Sequence, residues 1–162
     1  MNRLAILAAL LAAGCTSSTV NVSQAVTDAG LITNGIAGVY QSFVTLYPTA
    51  VSPAQQATVA KDLAAAQVAL AALQGVSANL TTAATLQGIE ADVNAVLGVM
   101  GTVAPGVLPQ QIVVGIEAAN VLLPLIEATV NQIQGVTAPV KAAMLPMSPD
   151  HARLVLQADG LR

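Results

Sequence analysis

Charged side chains make up only 8% of this 162-residue chain, against roughly 25% in ordinary soluble domains. Aromatic residues are scarcer still: two Tyr, one Phe and no Trp, 2% in all. A core without rings must be built from Leu, Val, Ile and Ala, so each element presents a shallow apolar face. The five basic residues, Arg3, Lys61, Lys141, Arg153 and Arg162, are scattered and form no stripe that could neutralise successive phosphates. Three rings make no base-stacking platform, and nucleic acid is excluded as an expected partner. One cysteine permits no internal disulfide, and one histidine without a neighbouring ligand cannot assemble a metal site of usual spacing.

Catalytic parts are missing as well. The sequence contains no glycine-rich phosphate loop, no Ser/His/Asp arrangement and no paired nucleophile. Glu90, Asp92, Glu117 and Glu127 fall on two helical segments, but no Glu-x-x-His pair accompanies them, so a carboxylate-bridged metal pair is not expected. Glu117 and Glu127, ten residues apart or nearly three turns, share one face of a helix and read as a solvated edge. His151 follows Ser148-Pro149-Asp150, a helix start, and reads as a surface residue of a first turn. No catalysis, cofactor or metal is expected.

What is present begins at the N-terminus. Met1-Asn2-Arg3 is a short positive region, Leu4 to Ala13 an apolar run, and Ala12-Ala13-Gly14 a set of small residues directly before Cys15. The apolar run is too short to cross a bilayer core of about 30 Å as a helix, and the order is that of a secretory signal. A cysteine at this point resembles the lipobox of bacterial lipoproteins, with Ala12 where lipoboxes often carry Leu. The resemblance covers roughly a tenth of the chain. It implies that Cys15 carries the lipid and becomes the mature N-terminus, with residues 1–14 as signal peptide and 15–21, which include Thr16-Ser17-Ser18-Thr19, as a polar tether. An ordinary signal, or a signal-anchor, is the other reading of the same residues. In enteric bacteria an Asp after the lipidated cysteine favours the inner membrane; Thr16 stands there, so the resemblance favours the outer membrane slightly. The expected partner is therefore a membrane, reached through lipid on Cys15, with the rest of the chain facing the periplasm.

The remainder carries helical periodicity in four long segments. The first runs over about 22–47, with Val22, Val26, Ile32, Ile36, Val39, Tyr40 and Phe43 at three- and four-residue steps, and stops at Tyr47-Pro48. Ser52-Pro53-Ala54-Gln55 is a capping box that opens the second, which Val59, Leu63, Leu70 and Leu73 continue to Gly75. The third is expected to start near Thr81 or Thr82 and carries Leu86, Ile89, Val93, Val96, Leu97 and Met100. The fourth is expected from Pro109 to about Gln134-Gly135, striped by Ile112, Ile116, Leu123, Ile126, Val130 and Ile133, with Pro124 inside as a predicted kink. A tail, 136–162, contains Pro139 and Pro146 and ends in a short amphipathic helix from His151 to about Ala158.

These features predict an all-α protein: an up-down-up-down four-helix bundle over 22–135 with a short C-terminal helix. Leu154, Val155, Leu156 and Leu161 are expected to dock that helix back onto the bundle, with a second chain or another protein as the alternative partner. Glycines at 35, 38, 88, 98, 101 and 115 each cost a helix roughly 1 kcal/mol against Ala, a loss tolerated where backbones must approach closely. In general character the chain resembles small Ala-rich proteobacterial lipoproteins, some within phage-derived gene blocks, through its composition, its lipobox and the Ser-Pro-Asp-x-Ala-Arg ending. The resemblance implies an envelope role by binding or structural presence, and for a phage-encoded member a part in lysis or in blocking a second infection.

A membrane-inserted helical assembly, holin-like or pore-forming, is the alternative. Segments 31–47 and 112–130 are apolar enough to suggest it, but Asn34 and Gln41 interrupt one, and Glu117, Asn120, Pro124 and Glu127 the other. A carboxylate at the bilayer centre costs about 3 kcal/mol on insertion scales.

Overall fold

A computed structural model describes residues 21–102, 108–136 and 147–160. They form five helices: α1 (Val22–Leu46), α2 (Pro53–Ala72), α3 (Leu80–Met100), α4 (Gln110–Gln134) and α5 (Pro149–Asp159). No strand occurs among the described residues. The fold is the expected four-helix bundle with a short C-terminal helix.

Local chemistry sets most helix limits. The Asn21 side chain accepts the Gln24 N–H at 3.0 Å and opens α1. At α2 the capping box closes in both directions: Gln55 N–H donates to Ser52 Oγ at 3.3 Å, and Ser52 N–H donates to Gln55 Oε1 at 2.9 Å. The third helix begins one residue before the predicted Thr81, because Asn79 takes the cap and accepts the Thr82 N–H at 2.9 Å. Pro109 precedes α4 as its cap residue and supplies no side-chain hydrogen bond. Gly135 ends α4 in the left-handed region at φ 70°, where a Cβ would be strained. Gly75 is also left-handed, at φ 75°, but lies two residues beyond the Leu73 cap rather than next to it. Within α4, Pro124 has no N–H to offer the Asn120 carbonyl, and Asn120 is exposed, so water can serve that group.

α1 is the central member and touches all four other helices. Its buried face, Ala25, Ala29, Ile32, Ile36, Val39, Tyr40 and Phe43, meets Leu86, Ile89, Val93, Val96 and Met100 of α3 and Ile112, Leu122 and Ile126 of α4 in one core. The chain's three rings sit together near the end of α1, with Phe43 between Tyr40 (centroids 6.4 Å apart) and Tyr47 (5.6 Å). Gly115 near the start of α4 faces Val39 late in α1, so these two helices run antiparallel. α5 runs the other way to α4: Arg153 meets Asp28, and Leu156 meets Gly35, so it lies parallel to α1.

α2 is the least embedded long helix. Only Val59 and Ala66 are fully buried on it, and Val68 is 73% exposed. Its main neighbour is α3, and its contact with α1 is narrow. The cause is composition: α2 is rich in alanine, and alanine side chains remove little apolar area from water, so little holds the helix against a neighbour. Among the described residues α4 is the one helix long and apolar enough to cross a membrane, with a mean hydropathy of 1.6 in its most apolar window. In this structure that helix packs against α1, α3 and α5.

Candidate functional site

Two features of α1 stand out, on opposite flanks. The first is the seat of α5. Ser148 caps α5 by accepting the His151 N–H at 3.3 Å, Pro149 occupies its first turn, and Asp150 places a carboxylate at the positive end of the helix dipole. Arg153, one turn on, reaches back to Asp28 of α1 in a two-pronged pair. Nε lies 2.7 Å from Oδ1 and Nη2 lies 2.8 Å from Oδ2. Gln24 adds a hydrogen bond to Asp28 Oδ1 at 2.9 Å, and Asp150 accepts from Arg153 Nη1 at 2.7 Å. The Asp28 side chain is 2% exposed and that of Arg153 25%. Hydrogen bonding to Asp28 holds the Arg153 guanidinium well above its ordinary value. Breaking such a pair typically costs about 3–5 kcal/mol, mostly because one buried charge is left uncompensated.

Three glycines make room for α5. A Cβ on Gly35 would lie 2.7 Å from Leu156 Cδ2, one on Gly38 would collide with the Asp159 carbonyl oxygen, and one on Gly115 would lie 3.1 Å from Asp159 Oδ2 and 2.5 Å from Val39 Cγ2. The helix descends onto bare backbone there. Ala152 and Leu156 are fully buried beneath it and Val155 partly so, while Leu154 is 67% exposed and points away. The expected docking onto the bundle is therefore made by Leu156 and Val155, not Leu154; Leu161 lies outside the described residues. At Gly88 and Gly98 no atom of a neighbouring element lies within 4 Å of the place a Cβ would take, so close approach does not account for them. Gly101 lies just past α3, as its cap.

The second feature is a cleft of about 310 Å³ between α1 and α2, lined by Ala37, Tyr40, Gln41, Ala60, Leu63, Ala64 and Gln67. Tyr40 is 8% exposed, and its hydroxyl has no hydrogen-bond partner. It is the one buried side-chain polar atom in that condition among the described residues. Leaving such a group unpaired costs about 1–3 kcal/mol. Burial pushes the phenol pKa up from an ordinary value already well above neutrality, so Tyr40 carries its proton at neutral pH with or without the shift.

The carboxylates singled out from the sequence are distributed differently from the expectation. Glu90 of α3 is partly buried; burial raises its pKa first, and the charge of Glu127 across on α4 raises it further. Asp92 is raised by burial and then by Asp62 of α2. Glu127 is exposed and Glu117 partly buried. Glu127 is thus electrostatically coupled to Glu90 on the neighbouring helix. No group of three or more His, Cys, Asp or Glu able to hold a metal ion occurs among the described residues. His151 is exposed in the first turn of α5, as its position implied. Cys15 lies outside the described residues.

Sequence reasoning passed over Asp28, Arg153 and the hydroxyl of Tyr40. Asp28 left a trace: it interrupts the apolar progression Ala25, Ala29, Ile32 on the inward face of α1, where an unpaired carboxylate would be untenable. No family model matches the chain, and comparison with curated proteins and with solved structures yields no match.

Proposed function

We propose that this chain is a lipid-anchored protein of the bacterial cell envelope that works by binding or by structural presence rather than by catalysis. The observation that carries the reading is the N-terminal order of basic residue, short apolar run, small residues and Cys15. In this reading residues 15–21 are a short polar tether between the anchor and the bundle, whose first described helix starts at Val22. Acyl chains on Cys15 would hold the protein to a membrane at about 0.8 kcal/mol per buried CH₂, with more than one chain needed for stable attachment. The helices then present their surface to the periplasm. Thr16 after the cysteine favours the outer membrane, and an envelope role of phage origin remains within the same reading.

Radiolabelled palmitate fed to cells should label the wild-type protein and leave Cys15→Ala unlabelled, while deletion of 1–14 together with Cys15→Ala should yield a water-soluble chain. Equal labelling of both proteins, or none of either, overturns the anchor. A second reading, a membrane-inserted assembly, is favoured by the apolar length of α4, Gln110–Gln134. That assembly would still require detergent after the deletion and substitution.

A further inference from the structure

We propose that the end of the bundle where α1 begins is a membrane contact: Val76, Leu80 and Val136 enter the interface of the lipid layer that holds Cys15, and the bundle stands end-on to it. This contact rests on the lipid-anchor reading and adds a surface to it. The α2–α3 connection lies at this end, because Leu73, Gln74, Gly75 and Val76 line a recess together with Val22 and Val26 of α1. α3 starts there at Leu80, and α4, antiparallel to α1, finishes there with Val136 just past its cap. Six large apolar side chains are exposed among the described residues, and these three share one end. Leu46 stands alone at the other end, and Val68 and Leu154 lie singly on α2 and α5.

Chain length decides what covers the patch. Seven peptide steps lead from Cys15 to Val22, a span of at most about 25 Å at 3.3–3.6 Å per residue. α1 has 25 residues and is about 37 Å long at 1.5 Å per residue. An anchor on Cys15 therefore keeps the starting end of α1 beside the bilayer, while the opposite end reaches it only if the bundle lies down. Lying flat would bring Val68 or Leu154 into contact but not both, since α2 and α5 occupy opposite flanks of α1; standing end-on covers all three exposed side chains. Charge sets the chemistry of the contact. Residues 21–27, 73–89 and 128–136 carry no charged side chain, and Asp28, Asp150 and Arg153 close by are joined in ion pairs. The contact is therefore with the apolar part of the lipid interface, needs no anionic headgroup and is insensitive to salt.

The test uses the full-length acylated protein in phosphatidylcholine vesicles. Acylation turns the Cys15 sulfur into a thioether, so a cysteine introduced elsewhere is the sole thiol. Leu80→Cys and Val136→Cys, with Leu46→Cys as the far-end control, are labelled with a fluorescent maleimide and read against lipids that carry a quencher at shallow depth. Quenching is expected at positions 80 and 136, unchanged in high salt, and none at position 46. Adding Val76→Asn and Val136→Asn to the Leu80→Cys protein should lower its quenching toward the Leu46→Cys level; the three positions are exposed, and circular dichroism checks that the helices persist. Protein that carries palmitate and floats with the vesicles, yet is quenched equally at positions 80 and 46, overturns the end-on contact and leaves the anchor standing. Protein without palmitate, in which Cys15 also takes the label, overturns both. A second copy covering the same end would shield the labels from water without lipid quenching, which overturns the lipid contact.

Discussion

The two flanks of α1 differ although one helix supplies both. Toward α5 and α4 it offers Gly35 and Gly38, and its Asp28 meets Arg153 in a buried two-pronged pair. Toward α2 it offers Ala37 and Tyr40 to Ala60, Leu63 and Ala64, and the result is an open cleft, with the Tyr40 hydroxyl shut off from solvent and unpartnered. Small residues are present on both sides. Glycine, facing a helix that brings its own Leu156 and Arg153, gives intimate contact; alanine facing alanine gives a gap, because neither side chain is long enough to fill the space between axes. The teaching is that smallness alone does not make tight packing. A large partner must be delivered to the small site.

The largest expected effect lies on the tight flank. Arg153→Ala leaves the Asp28 carboxylate buried and unpaired, and should lower unfolding free energy by about 3–5 kcal/mol in urea titration. Asp28→Ala should cost less, because Arg153 is one-quarter exposed and can turn toward water. The double variant should lose less than the two singles added together.

Next come the glycines, which sharpen the comparison by sign. Gly38→Ala forces α5 away from its seat and should destabilise by about 1–3 kcal/mol, whereas Gly88→Ala meets open space and should stabilise α3 by about 1 kcal/mol. Thermal melts of the two variants should move in opposite directions. On the loose flank, Tyr40→Phe removes a buried hydroxyl that has no partner, so the free protein should be unchanged or more stable by up to about 1 kcal/mol. A marked loss of stability there would mean that water already satisfies the phenol.

The smallest effect concerns pH. Burial and Glu127 raise the Glu90 pKa in the folded chain, so the folded state binds that proton more tightly than the unfolded one. Stability from this group is present below the ordinary glutamate range and is lost as pH rises through it and through the raised folded value. Glu90→Gln should therefore be more stable than wild type at pH 7, by less than the Gly88→Ala gain, and the difference should vanish below about pH 4. Urea titrations at pH 3.5 and 7 check it.

Much of the bundle was readable because its punctuation is local. Ser52-Pro53-Ala54-Gln55 and Ser148-Pro149 stop and start helices through bonds reaching three residues, and Asn21, within the same reach of Gln24, works alike. The start of α3 falls at Leu80, one residue before Thr81, for the same local reason: the Asn79 side chain accepts the Thr82 N–H and takes the cap. Asp28 was not readable as a site, since its partner is 125 residues away and Arg153 looked like one of five scattered bases. The carboxylates were misgrouped by treating each helix alone, whereas Glu90 is coupled to Glu127 on the helix beside it.

Helix number, limits and the scarcity of charge follow from residues within a few positions of one another, because hydrogen bonds of the backbone and its caps close over three or four residues. Which glycine lies beneath a neighbour, which carboxylate is neutralised and which hydroxyl is stranded depends on segments far apart in the chain. Those outcomes arise only when whole helices pack, since burial and pairing are properties of the space between elements.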